Sequence, residues 1–245
     1  MSGTTRRVFG AARFMLAGVW VFALVGDIEY TLGFPASVVG NFFSYFTVQS
    51  AILAVVVFIA GGILAERRMT DPMWFDVLRL LVTTYTVSSG LVSVLILSQW
   101  AVNDIRVDVP FSSQLLHFWL PLAALVDWLF APGRVHVSGM TALLSVPFPL
   151  LWGVVTFIRG PLVGWYPYFF LDPVQVTGWE MAAYCAGALA VIAGVAALLA
   201  ATTRWDPRTR RRRVSVDRGG VDRGSVDRVT ADRVTAEGPG RRVRD

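Results

Sequence analysis

Six runs of mainly apolar residues, separated by short polar loops, occupy the first 203 residues of this chain. Each run is close to or above the roughly 20 residues that a helix needs to cross a bilayer. Hydrophobic residues make up 55% of the chain and charged residues 16%, a composition that excludes an ordinary soluble domain. The sequence therefore predicts an all-α integral membrane domain over residues 1–203, with six transmembrane helices at about 8–30, 39–64, 74–98, 112–130, 138–158 and 178–202.

The first run begins like a signal peptide, because Arg6 and Arg7 precede an apolar core. Arg13 interrupts that core, and no convincing small-residue cleavage site precedes the second run. We therefore predict that the first run is retained as a transmembrane helix.

The arginines in the loops fall on one side of the predicted bundle. That side carries Arg6, Arg7, Arg67, Arg68, Arg134 and the C-terminal tail. The opposite loops hold Arg106 and Arg159 together with Asp27, Glu29, Asp104, Asp108 and Asp172. Because arginine-rich loops stay in the cytoplasm, both termini are predicted to be cytoplasmic, in a multi-pass protein of the cell membrane.

The composition changes abruptly at residue 204. Thirteen of the 22 arginines lie in residues 204–245, where an Asp-Arg pair recurs every five residues. That period fits neither a helix nor a strand, so the tail is predicted to be disordered. Its run of arginines, residues 210–213, suits contact with anionic lipid, and an anchor that fixes topology is an equally open alternative. Interleaved aspartates and the lack of aromatic residues after Trp205 argue against nucleic acid.

Cofactor chemistry is not indicated by the residue types. The chain has one cysteine, Cys185, and two histidines, so we predict neither an intramolecular disulfide nor a metal site. It has no nucleotide-binding loop. The predicted partners are membrane lipids, and the oligomeric state stays open.

The second predicted helix opens with an unusually polar stretch, residues 41–50 (NFFSYFTVQS). In a continuous helix, Asn41, Ser44, Thr47 and Ser50 form a slowly drifting stripe. A lipid-facing helix gains nothing from such a stripe, so it should face other helices or a water-containing cavity. For Ser44 and Ser50, hydrogen bonding between helices is the simpler hypothesis.

Thr47 has a potential partner in His117, which lies in the fourth predicted helix. The rise of a helix places them about 12 Å and about 8 Å from the outer ends of their helices, so the two side chains could meet. A neutral imidazole can take the proton that a threonine nucleophile must lose, whereas a purely structural histidine is the alternative. The sequence thus suggests an outward-opening pocket with Thr47 and His117 as catalytic candidates, and with Asn41, Ser44, Trp165, Tyr166 and Glu180 as its polar and aromatic lining.

Arg79 lies near the cytoplasmic end of the third predicted helix. Long basic side chains near a helix end usually extend to the membrane interface. Asp76 or Asp127 could pair with it, because all three residues should lie near the same membrane surface.

Three segments carry a resemblance to a known family: residues 41–50, His117-Phe-Trp-Leu-Pro121 with Asp127-Trp128, and Gly164-Trp-Tyr-Pro-Tyr168 with Leu171-Asp172-Pro173. Together they look like a family of bacterial six-helix membrane proteins, which in turn resembles the vertebrate androgen-induced and androgen-dependent membrane proteins. The resemblance covers Arg7 to Thr202 and excludes the tail. It departs from the family at Ala51, where the bacterial relatives often have asparagine.

The vertebrate proteins are threonine hydrolases that cleave fatty acid esters of hydroxy fatty acids. The resemblance implies that Thr47 is a nucleophile, that His117 is its general base and that the substrate is a lipid ester. Asn41, Ser44 and, less suitably, Gln49 are candidates for stabilising the oxyanion. The alternative is a non-enzymatic lipid-binding or sensory protein. A transporter is less favoured, because no internal repeat or pair of broken helices is evident.

Overall fold

A computed structural model describes residues 3–35, 37–102 and 108–203, and it confirms six helices that are long and apolar enough to cross a membrane. Their bounds are α1 Gly3–Leu32, α2 Phe46–Arg67, α3 Met73–Val102, α4 Phe111–Phe130, α5 Gly139–Val163 and α6 Gly178–Thr202. No strand occurs in the described residues. The protein is therefore an all-α, multi-pass membrane protein, and the predicted tail lies outside the described residues.

The loops gather at two ends of the bundle. The arginine end comprises residues 3–6, 66–72 and 131–138, which meet where Arg6 bonds the carbonyl of Pro132 and the carboxylate of Asp71. The aromatic end comprises residues 33–45 and 164–177, which meet where Tyr45 packs edge-on against Trp165. The predicted orientation would place the arginine end in the cytoplasm.

Three groups of buried apolar side chains hold the helices together, the smallest of which is Phe46, Tyr85 and Ile192. The largest group lies among α1, α2, α3 and α4 and includes Trp20 and Leu116, each 1% exposed. The second joins α3, α4 and α6 around Trp128, whose indole N–H donates to the carbonyl of Leu199 at 3.2 Å. Many large apolar side chains point outward, such as Leu162, which is 81% exposed. Lipid tails accommodate such an apolar surface, so these faces suit contact with membrane lipids.

Six ionisable side chains are buried together near the arginine end. This ion-pair cluster consists of Arg6, Arg13, Asp71, Asp76, Arg79 and Asp127, none of which is more than 5% exposed. Asp71 bonds Arg6 and lies 3.3 Å from Nη1 of Arg79, whereas Asp127 accepts a 2.9 Å hydrogen bond from Nε of Arg13. Three arginines balance three aspartates, and this pairing is what makes buried charge tolerable.

Arg79 has the partners predicted for it but not the position. Its guanidinium lies 3.8 Å from a carboxylate oxygen of Asp76 and 3.8 Å from one of Asp127, which confirms both as ion-pair partners. The prediction that its side chain extends to the interface is wrong, because Arg79 is 2% exposed. Asp71, which the sequence did not suggest as a partner, completes the balance of charge and removes the need to reach water.

The second span is interrupted, unlike the continuous helix predicted over 39–64. A short helix, Val39–Phe42, is followed by a turn, and α2 begins only at Phe46 after Tyr45 adopts an extended backbone. The first four N–H groups of any helix lack carbonyl partners within it. Gln49 is the first residue to bond back, donating to the Tyr45 carbonyl at 3.2 Å. The break therefore places Thr47 in a first turn whose N–H groups have no carbonyl partners within α2.

The fourth span contains a π-helical turn, Leu115–Trp119, in which the N–H of Leu120 donates to the carbonyl of Leu115. Pro121 follows and has no N–H of its own, so it cannot bond the His117 carbonyl as a regular α-helix would require. Such π-helical turns inside α-helices frequently occur at functional sites. His117 lies in the middle of this turn.

The fifth span also differs from the regular helix predicted over 138–158. A 3₁₀ segment, Gly139–Ser145, precedes a regular helix over Pro147–Val163. Pro147 stands at the first helical position, where its missing N–H is not needed. The sixth span has the predicted bounds.

Replacing Gly90 with alanine should destabilise the protein by about 1–3 kcal/mol, the usual cost of overpacking. A Cβ at position 90 would overlap the His117 carbonyl oxygen, a backbone atom that a side-chain rotation cannot move. The measurement is SDS-induced unfolding of the purified protein. Gly187→Ala on α6 is the matched control, because nothing lies within 4 Å of its added Cβ. Equal stability of the two variants would contradict close packing of α3 against the π-helical turn.

Candidate functional site

Thr47 is buried in the bundle, with 5% of its surface exposed. Its hydroxyl lies 2.5 Å from the hydroxyl of Ser89 on α3, and either oxygen can be the donor. Its carbonyl accepts a 2.9 Å hydrogen bond from the Ser50 hydroxyl. Ser50 thus has a local hydrogen-bonding role, whereas Thr47 reaches across to another helix.

Tyr168 from the aromatic end approaches the same point. Its oxygen interacts with the Thr47 hydroxyl and with the backbone N–H groups of Phe46 and Thr47. The phenol stacks on Phe170 with ring centroids 5.3 Å apart. Burial raises the pKa of Tyr168 to about 12, so the phenol stays protonated at neutral pH. Its neutral phenol oxygen therefore accepts from the N–H groups at the start of α2, next to Thr47.

His117 is held in one tautomer by its own helix. Its Nδ1 lies 2.9 Å from the carbonyl oxygen of Ser113. A carbonyl only accepts hydrogen bonds, so Nδ1 carries the hydrogen and Nε2 is the basic nitrogen when the ring is neutral. That arrangement is the one that a general base requires.

An acidic residue supports this arrangement from α1. The Asp27 carboxylate accepts a hydrogen bond from the Ser113 hydroxyl and lies 3.5 Å from that of Ser112. Its charge also acts on the His117 ring, which lies within electrostatic range. Asp127, by contrast, is held by Arg13 at 2.9 Å in the ion-pair cluster.

Thr47 and His117 are not hydrogen-bonded to each other in this structure, since each bonds another residue. They contact neighbouring residues of one short segment of α3. Ser89 bonds the Thr47 hydroxyl, and the next residue, Gly90, packs against the His117 carbonyl. The π-helical turn also packs against α2. Direct contact between the two side chains would require at least Thr47 to leave Ser89.

A cavity of about 220 Å³ lies beside Thr47, between α3, α5, α6 and the loop that carries Tyr168. Its walls are mainly apolar, and the hydroxyl-bearing residues Ser88, Ser89, Ser93 and Tyr168 are also among its lining. The Ser88 hydroxyl is buried and has no hydrogen-bond partner in the described part of the chain. An engineered apolar cavity of about 150 Å³ binds benzene, so this space suits an apolar ligand.

The residues predicted to line the pocket do not line this cavity. Asn41 accepts a 2.6 Å hydrogen bond from Arg159, and the Ser44 hydroxyl bonds its own helix at Gly40. Ser44 and Trp165 line a separate space of about 30 Å³ at the aromatic end. Thr47 lies behind the wall of the larger cavity, as the partner of Ser89.

Tyr166 and Glu180 have local structural roles. The Tyr166 ring packs directly on Gly160 of α5, where no side chain would fit. The Glu180 carboxylate accepts hydrogen bonds from the Thr177 N–H at 2.8 Å and from its hydroxyl at 2.6 Å, which caps the start of α6.

Among the described residues, no three His, Cys, Asp or Glu side chains come together in a way that could hold a metal ion.

No protein-family model matches this chain, and neither a curated protein nor a solved structure is significantly similar to it. The resemblance to the membrane threonine hydrolases therefore stays a prediction.

Three contributors to the site were not named from the sequence. Ser89 is a small hydroxyl residue in a long apolar helix, which gives no strong signal in the sequence. Tyr168 was one of several aromatic residues in its loop, with nothing to distinguish it. Asp27 ends an apolar run and was counted only as a loop charge.

Proposed function

We propose that this protein is a membrane-embedded hydrolase of lipid esters, with Thr47 as the nucleophile and His117 as the general base. The observation that carries the proposal is the position of the Thr47 hydroxyl. It is buried at the start of an interrupted membrane helix, and it bonds a serine in the wall of an apolar cavity. Polar groups at such depth are costly, so they are functional candidates by default.

The first step transfers the acyl group to the protein. The Thr47 hydroxyl exchanges Ser89 for Nε2 of His117 and gives up its proton as its oxygen attacks the ester carbonyl. The bond from the carbonyl carbon to the alcohol oxygen then breaks, and His117 returns the proton to the departing alcohol. An acyl-threonine and a neutral imidazole remain.

Water completes the cycle. It attacks the acyl-threonine while His117 takes its proton, the bond to Thr47 breaks, and the proton returns to the threonine oxygen. The products are one carboxylic acid and one alcohol for each ester and water consumed. Asp27 supports the imidazolium that forms in both steps, through its charge and its bond to Ser113.

The negative oxygen of each tetrahedral intermediate needs hydrogen-bond donors. In the proposal, the ester oxygen displaces the Tyr168 phenol from the N–H groups of Phe46 and Thr47, which lack carbonyl partners within α2. These donors replace Asn41 and Ser44 in the proposal, because Asn41 bonds Arg159 and Ser44 bonds Gly40. The cavity bounded by Ser89 and Tyr168 would hold the acyl chain.

The test is labelling of the detergent-purified protein by a long-chain fluorophosphonate, a probe that reacts with activated hydroxyls. We expect the wild type to be labelled, and Thr47→Ala and His117→Ala to lose labelling by at least about 100-fold, in line with the usual contribution of a general base. Thr84→Ala is the matched control, because its buried hydroxyl bonds only the Leu80 carbonyl. Labelling of Thr47→Ala at the wild-type rate would overturn the proposal.

A lipid-binding or sensory role without hydrolysis is the second candidate. It is favoured by one observation: the larger cavity is lined mainly by apolar side chains, and neither Thr47 nor His117 is among its lining residues. In that case a folded wild-type protein would bind a long-chain alcohol in the cavity but would not react with the probe. Enlarging the side chain at Ser88, as in Ser88→Leu, would then weaken binding of the alcohol.

A further inference from the structure

Arg159 lies at the aromatic end of the bundle, and no carboxylate of the described residues balances its positive charge. It lies half-buried near the end of α5. Its Nη2 donates to the Asn41 side-chain oxygen at 2.6 Å, and its guanidinium lies 5.8 Å from the centre of the Trp165 ring. Both contacts orient the guanidinium, and neither supplies a negative charge.

The contrast with the other arginines inside the bundle is direct. Arg6, Arg13 and Arg79 are each paired with aspartates in the ion-pair cluster. No carboxylate of the described residues lies within ion-pair distance of Arg159. Arginine is seldom buried without a partner, because its charge loses hydration on burial. A missing counter-charge at a half-buried guanidinium therefore indicates a ligand.

Three acidic residues of the same end bond other groups. Asp172 accepts hydrogen bonds from the Val174 N–H at 2.9 Å and from the Gln175 amide at 2.8 Å, which lower the pKa of its carboxyl. Glu180 caps α6 and Asp27 bonds Ser113. None of them is turned toward Arg159.

The surroundings of Arg159 fit the head of a lipid. A space of about 30 Å³ adjoins the guanidinium and is lined by Ser44, Thr156 and Trp165, which is room for one or two groups the size of a water molecule. Trp165 and Tyr45 form an aromatic pair of the kind that marks the headgroup level of a membrane. Trp152 lines both this space and the 220 Å³ cavity, so a chain extending from Arg159 has an apolar space next to it.

We propose that Arg159, oriented by Asn41 and Trp165, binds the anionic group of a lipid, a phosphate or a carboxylate, at the aromatic end of the bundle. The planar guanidinium offers two parallel N–H donors to such a group. Binding there needs no reaction at Thr47, so the site stands apart from the proposed hydrolysis. If hydrolysis also holds, Arg159 would select esters that carry a negative charge.

The experiment measures binding of three probes to the full chain in a neutral maltoside detergent by isothermal titration: dodecyl phosphate, dodecanoate and dodecanol. We expect at least one anion to bind at least about 10-fold more tightly than dodecanol, the factor that about 1.4 kcal/mol corresponds to. Arg159→Gln should remove that preference. Arg159→Lys should retain part of the preference, because lysine keeps the positive charge but lacks the two parallel N–H donors of the guanidinium.

Arg67→Gln is the matched control, because it removes the same charge from an exposed position at the arginine end. It should leave the preference unchanged. A preference for dodecyl phosphate alone would identify the ligand as a lipid phosphate. A preference for dodecanoate alone would identify it as a fatty acid. Either result supports the site. Equal binding of all three probes, or an unchanged preference in Arg159→Gln, would overturn it. Thr47→Ala should bind the probes like the wild type, so this result is separable from the labelling test.

Discussion

Asp71→Asn is expected to destabilise the folded protein by about 3–5 kcal/mol, the range seen when one partner of a buried ion pair is removed. Asp71 bonds Arg6, lies 3.3 Å from Arg79 and 3.9 Å from Arg13, so it serves three arginines at once. The asparagine keeps the shape and the backbone bond to Gly133. The buried cluster would then carry a net positive charge with no water to hydrate it.

Unfolding in SDS, followed by tryptophan fluorescence, gives the free energy for this comparison. Glu66→Gln is the matched control: it removes one negative charge at the same end from an exposed side chain, and its stability should stay within about 0.5 kcal/mol of the wild type. Asp71→Asn combined with Arg6→Gln restores neutrality and should recover part of the loss. If Asp71→Asn lowered the free energy of unfolding by less than about 1 kcal/mol, either water would reach the cluster or its side chains would not all be ionised.

Hydropathy was sufficient to predict the six spans, because the requirement for about 20 apolar residues acts on each segment by itself. The break before α2 could not be predicted in this way. Phe43 and Tyr45 have the same hydropathy in a turn as in a helix. The groups that stabilise the turn are distant in sequence. The Trp152 indole donates to the Ser44 carbonyl at 3.0 Å, and Tyr168 meets the new helix start.

The ion-pair cluster shows the same limit. Arg79 and its partners Asp76 and Asp127 could be grouped because all were predicted near one membrane surface. Arg13 lies one helical turn or more inside α1, and only the packing of α1 against α2 and α4 brings it to Asp127. From the sequence, Arg13 served only as an argument against a signal peptide. Its contribution to holding the bundle together could not be predicted.

For the site, the sequence indicated which residues are candidates, but it did not indicate which groups they bond. Thr47 and His117 stand out because polar groups are rare in membrane helices, whatever their neighbours. Their actual partners, Ser89 and the Ser113 carbonyl, depend on helix rotation and on the π-helical turn. Glu180 illustrates the opposite case, since its position three residues after Thr177 is a capping box readable from the sequence.

The proposed pairing of Thr47 with His117 makes a quantitative prediction for esterase kinetics. With p-nitrophenyl decanoate as substrate, Thr47→Ala and His117→Ala should each lower kcat/KM by about 10²–10⁴-fold. Groups that act as a unit are strongly non-additive, because the loss of either removes the same step. The double variant should therefore be no slower than the slower single variant, with Thr84→Ala again at the wild-type rate.

An additive result has an equally definite meaning. If the double variant lost the product of the two single effects, each side chain would contribute independently, and His117 would not be the base for Thr47. Thr47, which bonds Ser89, and His117, whose carbonyl packs against Gly90, would then belong to two different sites. We expect non-additivity, because His117 presents a basic Nε2 while its Nδ1 hydrogen is held by the Ser113 carbonyl, as a general base for Thr47 would require.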